Sequence, residues 1–95
     1  MDYSKDLLTK IKDLSSQLTP PAEISALLDI DERAFVDDLN TIGHPARKAF
    51  LQGCAATANK IRKDNIDLAK AGSPAADEAC RGYLKKMMRD IKIEV

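Results

Sequence analysis

Tryptophan is absent from this chain, and only 4% of its residues are aromatic: Tyr3, Phe35, Phe50 and Tyr83. Sheets favour aromatic and β-branched residues, whereas alanine, leucine and methionine suit packed helices. Glycine and proline are also scarce, with four of each, which leaves room for long uninterrupted helices. The composition therefore predicts an all-α fold.

Histidine and cysteine are too few for most kinds of catalytic or metal site. His44 is the single histidine, and Cys54 and Cys80 belong to no CxxC or Cys/His motif. Nucleophilic triads and zinc sites need such combinations, and the chain has no glycine-rich phosphate loop. We therefore expect no enzyme, metal or cofactor site. Both cysteines are expected to be free thiols, since a disulfide between them would need oxidising conditions.

Long apolar runs are absent as well. No segment approaches the roughly 20 apolar residues that span a bilayer, and the first residues, MDYSKD, lack the pattern of a signal peptide. We therefore expect a soluble cytoplasmic protein with no membrane partner. Its 95 residues, 44% hydrophobic and 32% charged, predict a modest globular core.

The net charge of zero conceals an uneven distribution. Residues 1–41 carry four basic and nine acidic side chains, whereas residues 42–95 carry eleven basic and six acidic ones. The difference gives −5 for the first segment and +5 for the second. Such a separation favours head-to-tail self-association or an anionic partner for the C-terminal part. The alternative is that both sets of charges are only solvated.

Helical periodicity, proline and glycine divide the chain into five predicted helices: 3–18, 22–28, 31–40, 45–71 and 74–90. Thr19, Asp31 and Ser73 are predicted N-caps, because their side-chain oxygens can accept bonds from the first helical amides. Pro45 suits the first turn of the fourth helix, and Gly72 suits the position after its end.

Residues 20–40 have the pattern of a helix-turn-helix. The motif needs apolar anchors on both helices and an aliphatic residue after the turn, and the sequence supplies Ile24, Leu28, Ile30, Phe35 and Leu39. Asp29 occupies the turn, and Ser25 the close-contact position. We therefore predict a three-helix N-terminal unit (1–44) containing the helix-turn-helix, followed by a long antiparallel helical hairpin (45–95).

Four residues are candidates for binding double-stranded DNA. Arg33 and Asn40 lie on the would-be recognition helix and suit base edges, while Arg47 and Lys48 suit the phosphate backbone. The same helix carries three acidic residues, Glu32, Asp37 and Asp38, which oppose binding to phosphate. The motif is therefore interpreted either as a DNA-binding element, including that of a small transcriptional regulator, or as a protein-contact module that binds no DNA.

The predicted hairpin combines basic and apolar surface. Lys85, Lys86 and Arg89 form its densest basic cluster, a candidate patch for phosphate or a partner protein, or else a solvated face. Met87 and Met88 lie on an apolar stripe of the last helix, with Tyr83, Leu84 and Ile91. A hairpin in so small a chain often completes its burial by association, so we expect a homo-oligomer through residues 45–91. Residues 91–95 alternate like a strand.

The order of elements over about residues 20–90 resembles that of small phage and prophage proteins of the terminase small-subunit, homeodomain-like type. The resemblance is carried by Phe50 and Gly53, by the segment 68–74 (LAKAGSP), and by Tyr83-Leu84 and Met87. It implies a DNA-recognition module carried by an oligomerising hairpin and used to recognise viral DNA for packaging. It also implies ring formation and a large terminase subunit as partner.

Overall fold

The computed structural model describes residues 2–90, and within them the chain is all-helical. The five helices are α1 (Lys5–Ser16), α2 (Pro21–Leu28), α3 (Glu32–Leu39), α4 (Pro45–Lys70) and α5 (Pro74–Asp90). The all-α prediction is confirmed, and the bounds of the five helices differ from those expected by at most two residues. Residues 91–95, whose sequence alternates like a strand, lie outside this range.

Local capping explains most of these boundaries. Asp31 caps α3 as predicted, accepting a bond from the Ala34 amide at 2.9 Å, and Ser73 accepts one from the Ala76 amide at 3.3 Å. Gly72 adopts a φ of +101°, which lets the Ser73 amide reach the Leu68 carbonyl and close the end of α4. The prediction for Thr19 is wrong, because Pro20 is the N-cap of α2 and makes no side-chain bond.

The chain divides into two compact units, Met1–Thr57 and Ala58–Val95, and the division falls within α4. The predicted boundary at residues 44 and 45 coincides with the start of α4. Its first three turns belong to the N-terminal unit, because Ala46, Ala49 and Gly53 are buried there.

The N-terminal unit is built around one small apolar core. Phe35, Ile11 and Ile24 are completely buried, and Leu39, Ala46 and Ala49 complete the cluster. One core residue or more therefore comes from each of α1 to α4, so that no pair of these helices forms the core alone. Burying a phenylalanine, isoleucine or leucine side chain stabilises a fold by roughly 1.5–3 kcal/mol.

Helices α1 and α4 approach each other closely at Gly53. A Cβ atom at this position would overlap with the hydroxyl of Ser15 and the backbone carbonyl of Lys12. Ser15 is itself fully buried, and its hydroxyl donates to the Lys12 carbonyl at 3.0 Å. One turn further along α4, Thr57 donates a hydrogen bond to the Ser16 carbonyl. Glycine is therefore required here by the close approach of the two helices.

In the C-terminal unit, the end of α4 and helix α5 contact each other while burying little. The Asn65 side-chain amide donates to the Tyr83 hydroxyl at 2.7 Å and so links α4 to α5. Within residues 58–90, Ala76 is the single buried residue. Five large apolar side chains there are more than 40% exposed, among them Leu68 and Met87.

We predict that Gly53→Ala lowers the free energy of unfolding by about 2 kcal/mol, because the added methyl group overpacks the α1–α4 contact. Gly82→Ala is the matched control: this helical glycine has nothing within 4 Å of an added Cβ. The control should stabilise the protein by about 0.5–1 kcal/mol through helix propensity. Urea denaturation followed by circular dichroism measures both. Equal effects of the two substitutions would contradict the close contact.

Candidate interaction surfaces

The connection between α2 and α3 is tight and is held by backbone hydrogen bonds. Asp29 is left-handed, with φ 54° and ψ 50°, and the Ile30 amide donates to the Ser25 carbonyl at 3.0 Å. Aspartate tolerates this conformation better than most residues. Ser25 is buried, and its hydroxyl donates to the Ala22 carbonyl at 2.7 Å. Serine thus occupies a position of close contact without leaving a buried polar atom unbonded.

Arg33 and Asn40, the two candidates for base contacts, lie at opposite ends of α3. Both are exposed, and Arg33 lies in the first turn. Asn40 is the C-cap, and its side-chain amide donates to the Val36 carbonyl of the same helix at 3.0 Å. A base contact by Asn40 would therefore have to replace or share this bond.

Arg47 and Lys48 are adjacent in the first turn of α4 but have different surroundings. The Arg47 guanidinium donates to the Leu39 carbonyl at 2.7 Å. This contact places a positive charge at the C-terminal end of α3, where it favours the helix dipole. Lys48 is exposed and lines a shallow depression together with Lys12 of α1. The structure thus gives Arg47 a structural role and leaves Lys48 on the surface.

Asp38 belongs to a polar cluster, the Tyr3–Asp38–His44 cluster, that the sequence reasoning missed. The Tyr3 hydroxyl donates to Asp38 Oδ2 at 2.7 Å, and His44 Nε2 lies 3.7 Å from Asp38 Oδ1. The rings of Tyr3 and His44 meet edge to face at 5.3 Å. His44 Nδ1 accepts the Ala46 amide at 3.0 Å, so His44 also caps the start of α4. Tyr3 and Asp38 are 35 positions apart, and no local pattern connects them.

Burial of Tyr3, reinforced by its hydrogen bond to the Asp38 carboxylate and by the charge of that carboxylate, raises the pKa of the Tyr3 hydroxyl well above its ordinary value. The phenol therefore stays protonated and keeps donating to Asp38. Because Asp38 faces this cluster, it contributes less negative charge to the outward surface of α3 than the sequence alone suggests.

The C-terminal unit carries a groove between the end of α4 and helix α5, with a volume of about 540 Å³. Its lining residues are Arg62, Ile66, Cys80, Tyr83, Leu84, Lys86, Met87 and Asp90. Three of them, Tyr83, Leu84 and Met87, belong to the apolar stripe expected from the sequence. Met88 is half-buried outside the lining, and Ile91 lies outside the described residues.

The three residues of the predicted basic patch are all exposed on α5. Lys86 lines the groove and pairs with Asp90 at 3.3 Å, so its charge is partly compensated. Lys85 and Arg89 are exposed outside the groove lining. The basic patch therefore borders the apolar groove. The sequence alone showed a basic cluster and an apolar stripe without showing that they adjoin.

Comparison with protein families, curated proteins and solved structures found no match for this chain. None of the helices in residues 2–90 combines the length and hydrophobicity needed to cross a membrane. Within the same range, no group of three or more histidine, cysteine or carboxylate side chains is arranged to hold a metal ion. Cys54 and Cys80 are free thiols, both half-buried.

We predict that Arg47→Met lowers the free energy of unfolding by about 1.5–2 kcal/mol, because it removes a hydrogen bond from a charged donor to the end of α3. Lys48→Met is the control, since this exposed neighbour should cost less than about 0.5 kcal/mol. Urea denaturation compares the two variants. Similar values would mean that the Arg47 contact contributes little.

A second prediction concerns alkaline pH. Tyrosine in the unfolded chain ionises near pH ~10, whereas folded Tyr3 keeps its proton to higher pH. The unfolded state then binds fewer protons, so the free energy of unfolding should fall as pH rises above about 10. Tyr3→Phe should reduce this fall, and Tyr83→Phe should retain it. Urea midpoints on either side of pH ~10 measure the difference.

Proposed function

We propose that this chain is a non-catalytic helical interaction module whose binding surface is the groove of the C-terminal unit. The observation that carries the proposal is the exposure of the groove. Leu84 is 44% exposed and Met87 55% exposed, and both belong to the apolar stripe of α5 that lines the groove. A contiguous apolar surface rimmed by polar residues is typical of a protein-binding site.

The energetics of the C-terminal unit support this proposal. Two helices that bury one small alanine between them gain little from the hydrophobic effect. A third helix laid into the groove would remove Ile66, Leu84 and Met87 from water together. Binding of an amphipathic helix in an apolar groove is a common mode of peptide recognition.

Titration of the full chain with a neutral amphipathic helical peptide, carrying a leucine stripe and glutamine elsewhere, tests this function. We expect NMR shift changes to concentrate on the groove. Met87→Ser should weaken binding by at least about fivefold, as truncation of a contributing interface residue does.

Leu68→Ser is the matched control, because Leu68 is 54% exposed, almost as exposed as Met87, but does not line the groove. It should leave the affinity nearly unchanged. No binding of any helical peptide, or equal reductions in the two variants, would contradict a groove-binding function.

A second candidate is a DNA-binding protein of phage or prophage type, similar to a terminase small subunit. In this proposal α2 and α3 form a helix-turn-helix on DNA, and residues 45–91 form a self-associating hairpin. The observation in its favour is the orientation of Asp38 toward Tyr3 and His44. With Asp38 turned aside, the exposed charges of α3 are Glu32, Arg33 and Asp37.

Few basic side chains would be available to bind DNA. Arg33 and Lys48 are exposed, and Lys12 lies beside Lys48. Arg47 already donates a hydrogen bond to the Leu39 carbonyl, and Asn40 donates one to the Val36 carbonyl of its own helix. Because phosphate contacts supply most of the affinity for DNA, this arrangement favours weak binding with a shallow salt dependence.

Fluorescence anisotropy with duplex DNA at low salt tests this candidate. Replacing both Arg33 and Lys48 by glutamine should weaken binding, and loss of the Lys48 phosphate contact should reduce the logarithmic salt slope by about one. The same change at Lys85 and Arg89 is the control and should have no effect if DNA lies on α3. No binding at about 100 µM protein would count against DNA as a partner.

A further inference from the structure

We propose that the groove binds an amphipathic helix with acidic flanks, contributed by a protein other than this chain. This inference rests on the proposed function, since it takes the groove to be a protein-binding surface. It adds the chemistry of the partner: an apolar stripe that fills the groove and carboxylates beside that stripe.

The apolar part of the inference follows from the lining. Ile66 of α4 and Tyr83, Leu84 and Met87 of α5 contribute hydrophobic surface from both helices. Apolar residues spaced at i, i+3, i+4 and i+7 lie on one face of a helix, so such a helix offers a continuous stripe to a groove of this kind. The Asn65–Tyr83 hydrogen bond joins the two walls.

The acidic part follows from the rim. Two of the three charged groups in the lining are basic, Arg62 and Lys86, and the third, Asp90, pairs with Lys86. Among the described residues, Arg62 forms no ion pair within 4 Å. Residues 58–90 carry eight basic and five acidic side chains, a net of +3. Carboxylates beside the partner's stripe would therefore complement the rim.

A second copy of this chain fits the groove less well. In a two-fold dimer of grooves, the same surface would be used by both copies. Arg62 and Lys86 of each copy, offset by one Asp90, would then leave a net positive charge on both sides of one shared apolar surface, and like charges held close together oppose such an arrangement.

The N-terminal unit of a second copy also lacks a suitable helix. The apolar faces of α1 and α3 are consumed in its own core, where Ile11 and Phe35 are fully buried. Its exposed large apolar residues are scattered over different segments: Leu18, Leu27, Ile42 and Leu51. They form no stripe along one helix, so the N-terminal unit of a second copy offers no helix that would fill the groove.

Three synthetic helical peptides with the same leucine stripe, and with glutamate, glutamine or lysine on both flanks, test this proposal on the full chain. We expect affinities in the order glutamate, glutamine, lysine. The glutamate peptide should bind about fivefold more tightly than the glutamine peptide at low salt, as two exposed ion pairs would provide. The preference should shrink in about 1 M salt, where the screening length is about 3 Å.

Replacing both Arg62 and Lys86 by glutamine should abolish the preference for the glutamate peptide while leaving the glutamine peptide bound. Lys63 and Lys85 are the controls, since they are exposed neighbours that do not line the groove. The same replacement at these two positions removes equal net charge and should keep most of the preference. Equal reductions in the two double variants would assign the effect to overall charge and overturn a rim-specific role.

Other occupants give different results. Sedimentation velocity should show a monomer without peptide, whereas a dimer broken by Met87→Ser would assign the groove to a second copy and overturn the proposal. Tighter peptide binding after deletion of residues 91–95 would mean that this segment occupies the groove, and would also overturn the proposal. If all three peptides bind equally, the acidic partner is excluded but the interaction function stands; if none binds, the function itself fails.

Discussion

The fold of the N-terminal unit depends on the contact of α1 with α4 at Gly53. Only a glycine lets the backbone of α4 lie against the Lys12 carbonyl and the buried Ser15 hydroxyl. That approach brings Ala46 and Ala49 of α4 into the core beside Ile11, and the same core receives Phe35 and Ile24. Dispersion contacts fall off steeply with distance, so a wider separation of these helices would loosen the packing of the short helices α2 and α3 as well.

The two units use their helices differently. Four short helical segments surround one core in the N-terminal unit, and two of its charged residues, Arg47 and Asp38, bond to other segments. In residues 58–90 the side chains mostly remain at the surface, and apolar and basic groups lie side by side. Little of the apolar surface of the second unit is already buried. A partner therefore gains more binding energy from the second unit than from the first.

Local patterns predicted the helices well, since caps and breakers act over a few residues: Asp31, Ser73 and Gly72 all behave as their positions indicate. Thr19 failed as a cap because Pro20 took that position. Contacts between distant segments were not predictable. Neither the bond from Arg47 to the Leu39 carbonyl nor the bond from Tyr3 to Asp38 could be read from a local pattern. The stripe of Tyr83, Leu84 and Met87 was visible in sequence, but the position of Arg62 beside it needed the fold.

Gly82 has a consequence for how the groove acquires a partner. It lies in the middle of α5 with no neighbouring atom that would exclude a side chain. A glycine there costs about 1 kcal/mol of helix stability relative to alanine, so α5 is a less stable helix than it would be with alanine at this position. Because binding requires the helical form of α5, this lower helix stability lowers the affinity for a partner. A more helical α5 would bind the same partner more tightly without a single new contact.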